Sequence, residues 1–178
     1  MSEATQLQCL CGEARLEVRG EPIIVSECFC DSCRLAADRL AALPGALPIL
    51  TALGGSPCAE YRKDRVRIMA GADHLAAFHL SPEAGTRRVV ASCCHTPMFL
   101  EMPGAHWLSV YLHLWPYEMR PTVQVRTMTS DVDDPSDLPG DLPNLKTHAV
   151  SFYAKLFFAW VAMGFRSPKL VIERKIDA

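Results

Sequence analysis

Apolar and polar residues alternate over several short stretches of the chain, and each such stretch reads as a half-buried strand. Ala14-Arg15-Leu16-Glu17-Val18 is the first clear case. Residues 6–25 as a whole read as strand segments, with a turn at Gly20 and Pro22 and a new extended run at Ile23-Ile24-Val25. Arg65-Val66-Arg67-Ile68-Met69 alternates again. Residues 75–80 and 86–92 predict a hairpin around a longer loop, residues 81–85. Further extended runs are expected over 98–102, 107–115 and 122–128.

Two stretches depart from this period. Residues 34–43 are rich in Ala and Leu, and they predict a short helix that Asp31 or Ser32 can cap. Residues 146–165 predict the longest helix, with Leu156, Phe157, Phe158, Trp160, Val161 and Met163 nearly continuous and Gly164 and Pro168 at its end. A membrane span needs about 20 apolar residues. This run is shorter and Lys155 interrupts it, so packing against the rest of the domain is expected. An apolar face left exposed on it would favour a homo-oligomer.

The pattern therefore predicts a mainly β chain of packed antiparallel sheets with a C-terminal α-helix. Residues 1–120 are expected to form the principal domain. Residues 121–178 are expected to form an extension with a strand, an acidic loop and the helix 146–165. The acidic loop holds Asp131, Asp133, Asp134, Asp137 and Asp141 among three prolines. A calcium loop counted from Asp131 would place Pro135 at its fifth position and lacks Gly at its sixth. A solvated loop is the expectation.

Composition narrows the partners. The 178 residues are 49% hydrophobic and 21% charged, with a formal net charge of -2. No basic footprint for nucleic acid is present, and no polybasic membrane signal. The polar N-terminus, residues 1–8, has no apolar core of a secretory signal, so a cytoplasmic location with reduced thiols is expected.

That expectation decides how the eight cysteines are read. One residue separates Cys9 from Cys11 and one separates Cys28 from Cys30, which fits metal chelation better than a disulfide framework. Cys28, Cys30 and Cys33 form a local three-sulfur set, with Cys33 at the start of the first helix, where the helix N-terminus favours a thiolate. Zinc takes four ligands in a closed structural site and three in a catalytic one. The triad therefore suits a zinc with an exchangeable position for a soft visitor such as a thiol, or a closed site completed from afar. Cys9 and Cys11 need distant partners, and Cys93 and Cys94 are the candidates. Neighbours on an extended segment face opposite ways, which favours Cys94 over Cys93. Cys58, after Pro57, is read in a loop without a role. The histidines are scattered, and none carries a motif.

Cys9-Leu10-Cys11-Gly12, Cys28-Phe29-Cys30-Asp31-Ser32-Cys33 and Cys94-His95-Thr96-Pro97 together resemble the glutathione-dependent formaldehyde-activating enzyme and centromere protein V family, over residues 7–115. The resemblance implies a β-tent fold. It implies a structural zinc at Cys9, Cys11 and the late cysteines, and a second zinc at Cys28, Cys30 and Cys33 where catalysis takes place. It also implies a carbon–sulfur lyase reaction that interconverts glutathione plus formaldehyde with S-hydroxymethylglutathione. One departure stands out. Ala91 occupies the place of the family's cysteine three residues before Cys94, leaving Cys93 or His95 to supply the ligand. A non-catalytic zinc-stabilised binding module, using the apolar helix for protein contacts, is the alternative.

Overall fold

The computed structural model describes residues 3–178, so Met1 and Ser2 of the polar N-terminus lie outside the described residues. The elements in chain order are β1 (Ala4–Gln8), β2 (Arg15–Arg19), β3 (Ile24–Cys28), α1 (Asp31–Ala41), β4 (Ser56–Arg62), β5 (Val66–Ala70), β6 (Leu75–Phe78), β7 (Arg87–Ala91), β8 (Thr96–Glu101), β9 (Trp107–Tyr111), β10 (Val125–Thr127), α2 (Val150–Ala162) and β11 (Arg174–Lys175). Short 3₁₀ turns connect several of them. The chain is mainly β, with a C-terminal helix, as its alternating pattern predicts.

Two sheets form. The smaller has the order β1-β2-β5 and the larger β10-β3-β4-β9-β8-β7-β6-β11. Neighbours are antiparallel except at the two edges, where β10 lies parallel to β3 and β11 parallel to β6. Residues beyond 120 thus supply both edge strands of the larger sheet.

Alternation explains how the sheets pack. Leu7, Leu16, Val18 and Val66 of the smaller sheet meet Val25, Ala59, Val89, Phe99, Leu108 and Val110 of the larger one in a single core. Each fully buried side chain of this size contributes about 1.5–3 kcal/mol relative to exposure. The alternate residues of the larger sheet face the other way, toward the helices. There Ala36 and Leu40 of α1 pack on Phe78 and Val90, and Phe152 and Leu156 of α2 pack on Ile24 and Val125. This second face also carries Cys28 and Cys58.

Two expectations are corrected. Cys58, read in a loop, is a buried residue of the central strand β4. A strand covered on both faces need not alternate, and Pro57 and Glu60 hide it. The first helix begins at Asp31 rather than residue 34, with Cys30 as its N-cap. The acidic loop is largely solvent-exposed, as expected, and it is anchored at one point. Arg126, itself buried, donates from Nη1 to Asp141 Oδ1 at 2.8 Å and to the Pro139 carbonyl at 2.9 Å.

The second helix is shorter than expected. Its buried residues are Phe152 and Leu156, while Tyr153, Phe157 and Phe158 remain exposed. His106 pins it by donating from Nε2 to the Leu156 carbonyl at 2.8 Å. Among the described residues no helix is long and apolar enough to cross a membrane.

Candidate metal centres

The eight cysteines are all unpaired, and seven of them gather into two groups. Cys9, Cys11, Cys93 and Cys94 have sulfurs all within 4.8 Å of one another, and so do Cys28, Cys30 and Cys33. Either group can hold a metal ion.

The four-cysteine group is built by two tight turns. After β1 the chain reverses, with Cys9 donating its N–H to the Ala14 carbonyl at 2.9 Å and Gly12 to the Cys9 carbonyl at 3.0 Å. Gly12 sits at φ +80, a left-handed position that glycine accepts without strain. The turn aims the Ala14 N–H at Cys9 Sγ, 3.3 Å away, a donor that favours sulfur as thiolate. Cys93 and Cys94 lie in the turn between β7 and β8, which His95 closes at φ 56. The expectation that these neighbours would diverge assumed an extended segment. On a turn, both sulfurs reach the same side, and Ala91 stays buried in β7.

The spacing fits zinc. Sulfur-to-sulfur distances are 3.5 Å for Cys9–Cys11, 3.3 Å for Cys11–Cys93, 3.8 Å for Cys9–Cys93 and 3.9 Å for Cys93–Cys94. A tetrahedron with Zn–S bonds of ~2.3 Å has edges of ~3.8 Å. Thr96 ties the two turns together, bonding Cys94 Sγ at 3.1 Å and accepting the Leu10 N–H at 3.0 Å. Burial acts upward on the Cys94 thiol, but the Thr96 hydroxyl and the Cys11 backbone outweigh it and hold it at about 6. His95 is not part of the group. Its Nδ1 donates to the Pro44 carbonyl at 2.8 Å.

The three-cysteine group stands where β3 runs into α1. Cys28 ends the strand, Cys30 caps the helix, and Cys33 lies in its first turn, its N–H bonded to the Cys30 carbonyl at 3.0 Å. Phe29 between them is buried and its N–H donates to the Thr127 carbonyl at 3.0 Å, which fixes the strand end against β10. Arg88 fixes the helix start from β7, donating from Nη2 to the Ser32 carbonyl at 2.9 Å.

Charge is unevenly shared among these sulfurs. Hydrogen bonds from Cys28 and Cys33 hold the Cys30 thiol far below its ordinary range. The contact with Cys30 pushes Cys28 up to about 11, and hydrogen bonds to Cys28 and Cys30 push Cys33 up as well. Three clustered thiols cannot all ionise alone. A divalent cation removes that repulsion and accepts all three as thiolates.

The two groups differ in what surrounds them. Among the described residues no fourth His, Cys, Asp or Glu joins the triad at that distance. All three of its residues instead line a cavity of about 490 Å³ between the larger sheet and the two helices. Leu80, Leu100, Met102, Trp107, Phe152 and Leu156 supply apolar wall, and His148 faces in from the head of α2.

The cavity also holds a group that the sequence did not disclose. Glu60, on β4, is only 5% exposed and lines the same wall. Its carboxyl accepts from Ser109 Oγ at 2.6 Å and from Ser26 Oγ at 3.5 Å. Burial pushes Glu60 up to about 7 against those two hydrogen bonds. Cys58 lines the cavity too but stands outside the triad's sulfur group.

Residues 1–120 match the model of a family described as a family of unknown function, DUF6151. No curated protein matches the chain. Among solved structures, the crystal structure of a Rhodobacter sphaeroides protein, a structural-genomics target, aligns with a TM-score of 0.45 at 16% identity, covering 79% of this chain and 99% of that one.

Proposed function

The chain belongs to the DUF6151 family, and we propose that it is a two-zinc protein whose three-cysteine centre acts on thiol–aldehyde adducts as a carbon–sulfur lyase. One observation carries this reading. Three sulfurs are poised for one cation with no fourth protein ligand at their distance among the described residues, and a largely apolar cavity opens onto all three. Three protein ligands and an open position are the pattern of a catalytic zinc, whereas the four-cysteine group has the pattern of a structural one. The resemblance of the cysteine motifs to those of the formaldehyde-activating family supports the reaction class.

The chain's own residues have separate tasks. Cys28, Cys30 and Cys33 hold the ion, with Arg88 and the buried Phe29 fixing the backbone that carries them. Trp107, Phe152 and Leu156 exclude water from the space where an adduct would sit. A zinc ion held there supplies the Lewis acidity that keeps a visiting thiol ionised near neutral pH. Zinc is the ion of choice because an all-thiolate set near tetrahedral spacing favours it over harder cations.

Metal analysis of the full chain tests this directly. Two zinc equivalents are expected in the wild type and one in Cys30→Ser. Turnover of a thiol with formaldehyde, followed by NMR, should fall to the uncatalysed rate in Cys30→Ser. Equal rates in both proteins would remove the lyase. A second reading, self-association, is supported by the exposed Tyr153, Phe157 and Phe158 on α2. Sedimentation equilibrium of wild type against Phe158→Ser tests it, and a concentration-independent monomer mass overturns it.

A further inference from the structure

We propose that Glu60 is the acid–base residue of the cavity beside Cys28, Cys30 and Cys33, and that the cavity takes a compact, uncharged thiol adduct rather than a multiply charged one. This rests on the lyase reading above and assigns its proton transfer and substrate class.

On β3 and β4 the residues facing the helices are Ile24, Ser26 and Cys28, opposite Cys58 and Glu60 in antiparallel register. Ser109 of β9 is the direct cross-strand partner of Glu60. One sheet face therefore presents the Glu60 carboxyl and the Cys28 sulfur to the same cavity. Among the described residues on that wall, Glu60 is the one carboxyl and Arg88 the one basic residue other than His148. Arg88 is committed to the Ser32 carbonyl.

A buried carboxyl without a cationic partner is costly to the fold. Among the described residues no ion pair or helix cap uses Glu60. Its contacts are two serine hydroxyls, which hold the carboxyl in place without neutralising it. That arrangement suits a group that exchanges a proton. Its value of about 7 then lies near the operating range of a general acid–base. The titratable or charged groups sharing its surroundings are Cys58 on its own strand, the triad thiols of β3 and α1, Arg88 on β7, and His148 and Tyr153 at α2.

The chemistry balances. A thiol loses its proton to solvent, and its sulfur pair forms the C–S bond to an aldehyde carbon. The C=O π pair moves to oxygen, and protonated Glu60 gives that oxygen its proton. Solvent then reprotonates Glu60. In the reverse direction the Glu60 carboxylate takes the hydroxyl proton, the C=O bond reforms, and the C–S bond breaks with its pair returning to sulfur. The apolar walls set the substrate class. A thiol with several charges would leave them unpaired against Leu100, Met102, Trp107 and Phe152, at a cost that a compact uncharged thiol avoids.

The test uses full-length metal-loaded protein, with cobalt(II) in place of zinc for spectroscopy and 2-mercaptoethanol as the thiol. Wild type is expected to change its thiolate–cobalt absorption on adding the thiol and to show a rate inflection near pH 7. Glu60→Gln should keep the absorption change, lose the inflection, and lose rate by about 100- to 10,000-fold. Ser109→Ala removes a hydroxyl that favours the carboxylate, so its inflection should move upward. Glutathione at matched concentration should give the weaker spectral response. An unchanged rate and pH profile in Glu60→Gln, or an unmoved inflection in Ser109→Ala, overturns the assignment to Glu60 alone. A stronger response to glutathione overturns the substrate class. A wild-type spectrum indifferent to any thiol sinks the open-metal reading and this inference with it.

Discussion

Cys9 and Cys93 stand 84 positions apart in the chain and bring their sulfurs to 3.8 Å. Cys9 follows the first strand of the smaller sheet, and Cys93 sits in a turn of the larger one. A metal at this point would therefore clamp the two sheets at one end. Such a clamp stabilises by mass action, about 4 kcal/mol when free metal exceeds its Kd a thousandfold. Cys11→Ser should remove one metal equivalent and lower Tm in the presence of zinc. Chelator should lower the wild-type Tm by more than it lowers that of the variant, which keeps only the metal of the three-cysteine group. Equal chelator sensitivity of the two proteins would show that this group does not clamp the fold.

How far the sequence discloses the molecule depends on which signal each element carries. Strands such as β2 and β5 cover one face of the core, so Leu16, Val18 and Val66 alternate with Glu17, Arg67 and other polar neighbours and can be read directly. β4 is covered on both faces, and its second face is polar because Cys58 and Glu60 look into the cavity. No hydrophobic period marks it. Glu60 was invisible for the same reason. Its meaning comes from Ser26 and Ser109, 34 and 49 positions away. The cysteine groups were legible because chelation imposes short local spacings. Cys93 was legible as a candidate beside Cys94, but the turn that brings both sulfurs to one side was not, since it depends on a left-handed residue at His95 that no local composition rule announces.

His148, just before α2, lines the same cavity as the triad and is the one imidazole on that wall among the described residues, so it is the candidate to close the centre. The open reading requires that it does not. His148→Ala should keep two metal equivalents and the thiol response of the cobalt spectrum. Loss of the second equivalent in this variant would make the centre a closed Cys3His site.

Arg126 links three parts of the chain. It pairs with Glu27 at 3.2 Å, with Asp141 at 2.8 Å and with the Pro139 carbonyl, while lying 5% exposed itself. Glu27 in turn accepts from Thr51 Oγ1 at 2.5 Å. Removing one member of a buried pair leaves an uncompensated charge, at a cost of about 3–5 kcal/mol. Arg126→Ala should lower stability by that order, read from urea unfolding, and should speed amide exchange over residues 134–144. A variant within about 0.5 kcal/mol of wild type would show the network to be dispensable.

Glu60 gives stability a distinctive pH dependence. Its folded value of about 7 lies above the ordinary 4.5, so between those values the folded chain binds more protons than the unfolded one. Stability from this group is complete below about pH 4.5 and declines as pH rises to about 7. Each pH unit of the difference corresponds to about 1.4 kcal/mol, so the full effect is on the order of 3 kcal/mol. Glu60→Gln removes the titration while keeping the shape of the neutral acid. The two proteins should match near pH 5, and the variant should be more stable at pH 8 by an amount of that order. Metal ligands titrate alike in both proteins, so their contribution cancels in the difference between urea midpoints. Parallel midpoints from pH 5 to 8 would mean that Glu60 ionises as freely in the fold as in the open chain.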